Sequence, residues 1–451
     1  MGKYFGTDGF RGKAGEELLA THAYKIGRFL GSYLKNGKKV RAVIGKDTRL
    51  SSYMLEYSLA SGLCSVGADA YMLHVTTTPC VSFAVVNDNF DIGIMISASH
   101  NPFHDNGIKI INSNGEKINE ELILKIEEFL DSSDTLENKT GKELGRIIDY
   151  SEGRNRYIAY LIGSSTLSFK GLKIALDPAN GSAFMIAKSV FSALGAKVYM
   201  INNEPSGTNI NLKCGSTNPR MLCELVKNGS FDMGFAYDGD GDRCIAVDEN
   251  GCVVDGDKAM YVLACNLKSK RELASNTLVT TVMSNMGLYD ALGEMGISHK
   301  ETRVGDYYVY EEIKRGGYSL GGEQSGHIIL SKYATTGDGI LTSIKLTEAV
   351  LEAKSTLSAE VKDVVPYAQI NKGVNVKSKE AILSLPSVKE AIELANDEFR
   401  CGDGRILVRP SGTEPLIRIM VESKDKEKCE RIASKLYNTI LHEAENERAS
   451  F

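Results

Sequence analysis

The chain has 451 residues, 42% of them hydrophobic and 25% charged, with a net charge of −5. That length and balance fit a soluble globular protein of about three or four domains. No apolar run approaches the roughly 18 residues of a membrane span, and no basic block offers a nucleic-acid surface.

The opening segment, MGKYFGTDGFRGKAG, lacks an apolar signal core, which predicts a cytoplasmic protein. The nine cysteines include no C-x-x-C pair. They argue against a disulfide framework or zinc site and predict buried thiols in a reducing compartment.

A pattern then repeats three times. VRAVIGKDTR, an amphipathic stretch and CSVGADAYML form the first copy; LKIALDPANGS and SALGAKVYMI bracket the second; NTLVTTVMSN and GEMGISHKET bracket the third. Each reads as strand, helix, strand, with Gly67, Gly195 or Gly296 placed to close the helix in the left-handed conformation. The copies lie about 100 to 130 residues apart, a domain-sized period. After residue 366 the pattern changes to strand, helix, two strand-like runs around a turn, and a closing helix, a small α+β domain.

Late in each repeat an apolar strand enters a glycine-rich polar loop: DIGIMISASHNP, SFDMGFAYDGDGDR and YSLGGEQSGH. Ligands bind beyond the carboxyl ends of such strands, so the three loops are expected to converge. In DGDGD, Asp238, Asp240 and Asp242 place alternating carboxylates in five residues. They form either an exposed acidic turn or an oxygen site for Mg2+ or Ca2+. An EF-hand is excluded, because Arg243 stands where that loop needs glycine.

In GGEQSGH, Glu323 and Ser325 suit either sugar hydroxyls or loop hydrogen bonds, and His327 could move a proton. RPSGTEPLIR is an ordinary hairpin or a phosphate cradle built from Arg409, Ser411, Gly412, Thr413 and Arg418. Ser99, in SASHNP, is a turn serine or a nucleophile. Neighbours on an extended segment point apart, so His100 is not expected to reach it, and no G-x-S-x-G elbow is present. Beside a metal loop and a phosphate cradle, Ser99 is better read as a phosphoryl carrier. Together these groups describe a phosphosugar mutase. A phosphatase, or a sugar-phosphate sensor that has lost its chemistry, is the competing class.

ISASHNP, DGDGDR, GGEQSGH and RPSGTEP, with FGTDGFRG at the start, resemble the α-D-phosphohexomutase superfamily and, within it, the bacterial phosphoglucosamine mutase branch. The resemblance implies three related α/β domains with mixed sheets plus a smaller α+β C-terminal domain around a central cleft. The expected division is 1–155 (phosphoserine loop), 156–256 (metal), 257–365 (sugar) and 366–451 (phosphate).

It implies exchange of glucosamine 6-phosphate and glucosamine 1-phosphate on the route to UDP-N-acetylglucosamine, a cell-wall precursor; glucose or mannose phosphate is the alternative. It also implies one Mg2+ per subunit, a sugar 1,6-bisphosphate as activator and intermediate, and phosphosugar partners without nucleic acid or membrane. A homodimer is left open. By the same resemblance Ser99 is the phosphoserine and a metal ligand beside Asp238, Asp240 and Asp242. Arg11 lies near it, and Lys109 and His327 serve proton transfer, or Lys109 acts as a clamp. Glu323 and Ser325 hold sugar hydroxyls, and the RPSGT loop with Arg418 holds the second phosphate. Tyr307 and Asn218 depart from the arginine and histidine usual in the family.

Overall fold

The protein is described by a computed structural model covering residues 2–6, 8–35, 37–411 and 415–449. The first sheet contains β1 (Phe5–Gly6), β2 (Gly9–Lys13), β3 (Arg41–Lys46), β4 (Asp69–Val75), β5 (Ile92–Ile96), β6 (Asp105–Asn112) and β7 (Ile147–Asp149), in the order β1-β2-β6-β5-β3-β4-β7. The second holds β8 (Lys173–Asp177), β9 (Lys197–Met200), β10 (Met233–Tyr237), β11 (Cys244–Asp248) and β12 (Val253–Val254), in the order β12-β11-β10-β8-β9. The third is β14-β13-β15-β16, from β13 (Thr277–Thr281), β14 (Ser298–Thr302), β15 (Leu320–Gly322) and β16 (Ile328–Leu330).

One four-strand unit underlies all three sheets. β4-β3-β5-β6, β9-β8-β10-β11 and β14-β13-β15-β16 each pair three strands in parallel and add the fourth antiparallel. The inner parallel strands are apolar on both faces, so β5 (IGIMI) and β10 (MGFAY) are buried at every position, whereas the edge strand β14 (SHKET) is largely exposed. The antiparallel fourth strand is what the βαβ reading did not contain. It matters because each polar loop is the hairpin between the third and fourth strands of its repeat. Gly67, Gly195 and Gly296 have φ of 91°, 99° and 61°, as expected of residues that end helices.

The described chain divides into two compact units, Met1–Ser284 with Met295–Asp363, and Asn285–Glu294 with Val364–Phe451. Helix Met286–Glu294 therefore counts with the C-terminal portion, where Asn285 accepts from the Tyr367 amide at 2.8 Å and Tyr367 donates to Asp290 at 2.7 Å. That second unit has an antiparallel sheet, β17 (Ala368–Asn375), β19 (Leu416–Ser423) and β18 (Gly404–Pro410), with β19 central. Its core joins Val374, Ile417, Ile419 and Val421 to Val388, Ile432 and Leu436 of the helices.

No helix among the described residues is long and apolar enough to cross a membrane. All nine cysteines are free, but not all are buried: Cys252 and Cys401 are exposed, because both fall in the polar turns that follow β11 and helix Pro386–Asp397.

Candidate active site

Asp238, Asp240 and Asp242 leave β10 in the 238–243 hairpin, and one carboxylate oxygen of each lies within 4.8 Å of the others. All three are buried. At that spacing two carboxylates repel by about 3 kcal/mol at an effective dielectric of roughly 20. The arrangement therefore requires cations. Burial and the neighbouring Asp242 and Asp240 push the Asp238 carboxyl well above the usual range. Burial also works to raise Asp240, but the Lys109 ammonium outweighs it and holds that carboxyl low.

Asp240 Oδ1 and Asp242 Oδ1 are buried without a hydrogen-bond partner. An all-oxygen, orphaned donor set of this kind fits Mg2+. The exposed-turn alternative is excluded by the burial. Gly239 lets the hairpin close: a Cβ there would lie 2.5 Å from the Ser99 carbonyl oxygen.

Ser99 sits in the 97–104 hairpin after β5 with φ of +52°, a left-handed conformation that costs a non-glycine residue about 1 kcal/mol. Its Oγ donates to Asp238 Oδ2 at 2.6 Å, which brings two of the three loops together. His100 Nδ1 lies 3.4 Å from the same Oγ. The expectation that His100 cannot reach Ser99 fails because a left-handed residue breaks the alternation of an extended chain. Burial, Arg243 and Arg11 depress the imidazole to about 4, so it is neutral at physiological pH.

The positive groups come from the first sheet. Lys109 on β6 reaches Asp240 at 2.8 Å, Asp8 at 3.0 Å and Asp242 at 3.3 Å. Burial opposes its charge, but the three carboxylates outweigh burial and keep it a cation. Arg11 on β2 pairs with Asp8 and donates to Asn101, two residues after Ser99, at 3.3 Å. Thr78, at the start of helix Thr78–Asn87, donates its amide to the Asp240 carbonyl at 2.9 Å and its hydroxyl to the Asp240 carboxylate.

The third loop joins by main chain. Arg243 and His327 form a β-bridge, and the Cys244 amide donates to the Gly326 carbonyl at 3.0 Å. His327 is buried, with Nε2 3.5 Å from Asp306 and Nδ1 lacking a partner. It borders a cavity of about 400 Å³ lined also by Lys109, Lys117, Asp306 and Tyr307. Glu323 accepts the Gly305 amide at 3.0 Å through Oε1, and Ser325 Oγ stands 3.5 Å from its Oε2. One oxygen of Glu323 thus serves the loop itself. Arg243 is kept charged by Asp238 and Asp242 against the cost of its burial.

Arg409 and Arg418 face each other across β18 and β19 in the second unit. Like charges placed directly opposite destabilise a sheet unless an anion lies between them. Burial and Arg418 depress Arg409. Ser411 receives Arg418 Nε at 3.4 Å on its hydroxyl and Lys379 Nζ at 2.8 Å on its carbonyl. Gly412 and Thr413 lie outside the described residues.

The motif reading passed over Asp8, Arg49, Thr78, Lys117, Asn211 and Asp306. Asp8 and Arg49 lay within segments already singled out, FGTDGFRG and VRAVIGKDTR. Asp306 stands next to Tyr307 in VGDYYV, a stretch already noted, but nothing local marks Lys117 or Asn211, whose partners are more than 100 residues away.

Models of four phosphoglucomutase/phosphomannomutase domains match in order: alpha/beta/alpha domains I, II and III over residues 2–137, 155–251 and 255–367, and the C-terminal domain over 373–439. A phosphoglucosamine mutase of Lachnospira eligens is 52% identical over 444 residues, 98% of each chain. A crystal structure of a phosphoglucomutase/phosphomannomutase family protein from Burkholderia thailandensis covers 97% of both chains with a TM-score of 0.81 at 24% identity. Aspergillus fumigatus N-acetylphosphoglucosamine mutase, in complex with GlcNAc-6P and magnesium, covers 98% of this chain and 96% of its own with a TM-score of 0.70 at 16% identity. The two structural likenesses carry the fold.

Proposed function

Since the chain belongs to the phosphoglucomutase/phosphomannomutase family, we propose that it interconverts glucosamine 6-phosphate and glucosamine 1-phosphate. The reaction runs through a phosphoserine enzyme and a bisphosphorylated sugar, on the route to UDP-N-acetylglucosamine. The amino-sugar assignment rests on relatives such as the Lachnospira eligens enzyme. The mechanism rests on one observation: Ser99 Oγ lies 2.6 Å from Asp238 inside a buried cluster of three carboxylates.

Ser99 carries the phosphoryl group. Its Oγ–P bond breaks as a bond forms between that phosphorus and the free hydroxyl of the sugar monophosphate; the hydroxyl proton passes to a base, and Ser99 Oγ takes up a proton as it leaves, becoming the hydroxyl that faces Asp238. In the return step the other sugar O–P bond breaks as Ser99 Oγ gives up its proton and bonds that phosphorus, and the freed sugar oxygen takes a proton from the base. Asp238, Asp240, Asp242 and Ser99 would hold one Mg2+, which when bound neutralises charge on the moving phosphoryl oxygens.

Lys109 and Arg11 act as a fixed cationic clamp there, since three carboxylates hold Lys109 protonated. That leaves His327 as the proton acceptor, at Nε2, the ring nitrogen whose lone pair faces the Gly337 amide at 3.3 Å. Glu323 and Ser325 take sugar hydroxyls, and Arg409, Ser411, Gly412, Thr413 and Arg418 take the second phosphate. The fourfold division at residues 155, 256 and 365 and a cytoplasmic location complete this reading; nine free cysteines suit a reducing compartment.

A coupled assay with Mg2+ and a trace of sugar 1,6-bisphosphate tests it, comparing glucosamine, glucose and mannose phosphates for wild type and Ser99→Ala. The highest kcat/KM is expected for the glucosamine phosphate, falling at least about a thousandfold in Ser99→Ala. A preference for glucose or mannose phosphate would overturn the substrate, and a fully active Ser99→Ala the mechanism.

A further inference from the structure

The Ser99 hairpin is held by two side chains that meet on the same pair of carbonyl oxygens. Arg49 lies three residues after β3, at the head of helix Leu50–Ser65; it is fully buried and donates through one terminal nitrogen to the carbonyls of Ser99 and Asn101, each at 2.9 Å. Asn211, from the second repeat, donates through its side-chain nitrogen to those same two carbonyls at 2.8 and 3.0 Å. The other terminal nitrogen of Arg49 reaches the carbonyls of Pro102 and of Asp105, the latter at 3.1 Å. One guanidinium therefore contacts four carbonyls between residues 99 and 105.

The guanidinium is itself aimed. Arg49 Nε donates to Asp47 Oδ2 at 2.7 Å, and Asp47 also accepts from Ser52 Oγ at 2.7 Å and Ser97 Oγ at 2.6 Å. Ser97 Oγ in turn accepts the Ser99 amide at 2.9 Å. Both main-chain groups of Ser99 thus trace back to the Asp47–Arg49 pair. A planar fork of five donors suits this task, whereas the compact ammonium of lysine cannot span four carbonyls. The local backbone explains the need: Ser99 has φ of +52°, which persists only where the surroundings over-determine it.

We propose that Arg49 and Asn211 are positioning residues that clamp the Ser99 hairpin from two repeats, fixing the angle at which Ser99 Oγ presents its phosphoryl group. The proposal rests on the reading of Ser99 as the carrier. Both side chains bond the Ser99 carbonyl and not its Oγ or the metal-loop carboxylates, so the loss falls on the transfer step rather than on substrate binding. Asn211 makes the cleaner probe, since it is only part-buried and is not part of the Asp47 cluster.

The test uses the full-length protein with Asn211→Ala and Asn211→Asp, and Arg49→Lys as a third variant where it folds. Two readouts are taken, steady-state kinetics with Mg2+ and hydrogen exchange across residues 97–105. In Asn211→Ala, kcat should fall about ten- to a hundredfold while KM stays within about twofold, as for a misplaced reacting group. Exchange in the hairpin should quicken by about tenfold, with the rest of the chain unchanged. Asn211→Asp should lose more, because its carboxylate faces two carbonyl oxygens.

Wild-type kcat in both Asn211 variants would overturn the proposal. So would unchanged exchange in the hairpin, or a loss confined to KM. Hydrogen exchange does not depend on Ser99 carrying phosphate, so failure of the clamp is distinguishable from an active Ser99→Ala, which would overturn the carrier itself.

Discussion

Asp338 is buried at the head of helix Gly339–Ala353, where Oδ1 accepts the Leu341 amide at 2.9 Å and Oδ2 accepts the Tyr157 hydroxyl at 2.6 Å. Burial pushes its carboxyl up from 3.8 to about 6, against the pull of those two hydrogen bonds. A raised acid binds its proton more tightly folded than unfolded. Its ionisation therefore carries a stability cost, fully present above pH 6 and relieved as pH falls toward 4. Asn caps a helix as well as Asp, so Asp338→Asn keeps the cap and removes the titration. Relative to this variant, wild type should lose up to about 3 kcal/mol between pH 4 and pH 7. Melting curves of both proteins at pH 4.5 and 7.5 check it. A gap between them that does not change with pH would refute the assignment.

At the scale of elements, the catalytic geometry is a contact between two hairpins, and Gly239 is where they touch. Gly239→Ala puts a Cβ 2.5 Å from the Ser99 carbonyl oxygen, which is backbone, with the Ile210 and Asn211 side chains crowding the same point at 2.8 and 2.9 Å. The expected cost is about 1–3 kcal/mol of stability, together with a lower kcat from displacement of Ser99 against Asp238; activity per folded molecule and a melting curve separate the two. The hairpins were legible from the chain because each joins an apolar run to a polar, glycine-rich segment at a domain-sized period. The strand pairing beyond them was not. β2 pairs with β6 across more than ninety residues, and that register is what brings Arg11 and Asp8 to Lys109. Local propensity contains no information about such a partner. The same limit hid Asn211, a polar residue in an irregular segment whose two acceptors are at least 110 positions away.

Across the first unit, the repeats are tied by charge as well as by main chain. Lys117 Nζ lies 2.6 Å from Asp8 of the first repeat and 2.6 Å from Asp306 of the third. Asp8 continues the chain to Lys109 and Arg11, and Asp306 lies 3.5 Å from His327. Charge therefore alternates from the metal hairpin through Lys109, Asp8 and Lys117 to Asp306, which faces His327 of the sugar hairpin. Each member is about a quarter exposed or less, so water screens the pairs only in part. Removing one charge strands its partners rather than merely deleting an attraction. Lys117→Met should leave Asp8 and Asp306 without a shared cation. Allowing for that partial exposure, the loss is on the order of 2 kcal/mol. In a unit of this size that lowers the melting temperature by about 2–5 °C. Lys117→Arg restores the charge and should recover most of the loss, while its fork fits the two carboxylates differently. Added salt should narrow the gap between wild type and Lys117→Met, because it weakens only the partly exposed attraction. Melting temperatures of the three proteins at low and high salt measure it. A Lys117→Met protein as stable as wild type at low salt would mean that the main-chain contacts, Thr78 with Asp240 and Arg243 with His327, hold the repeats together without this charge.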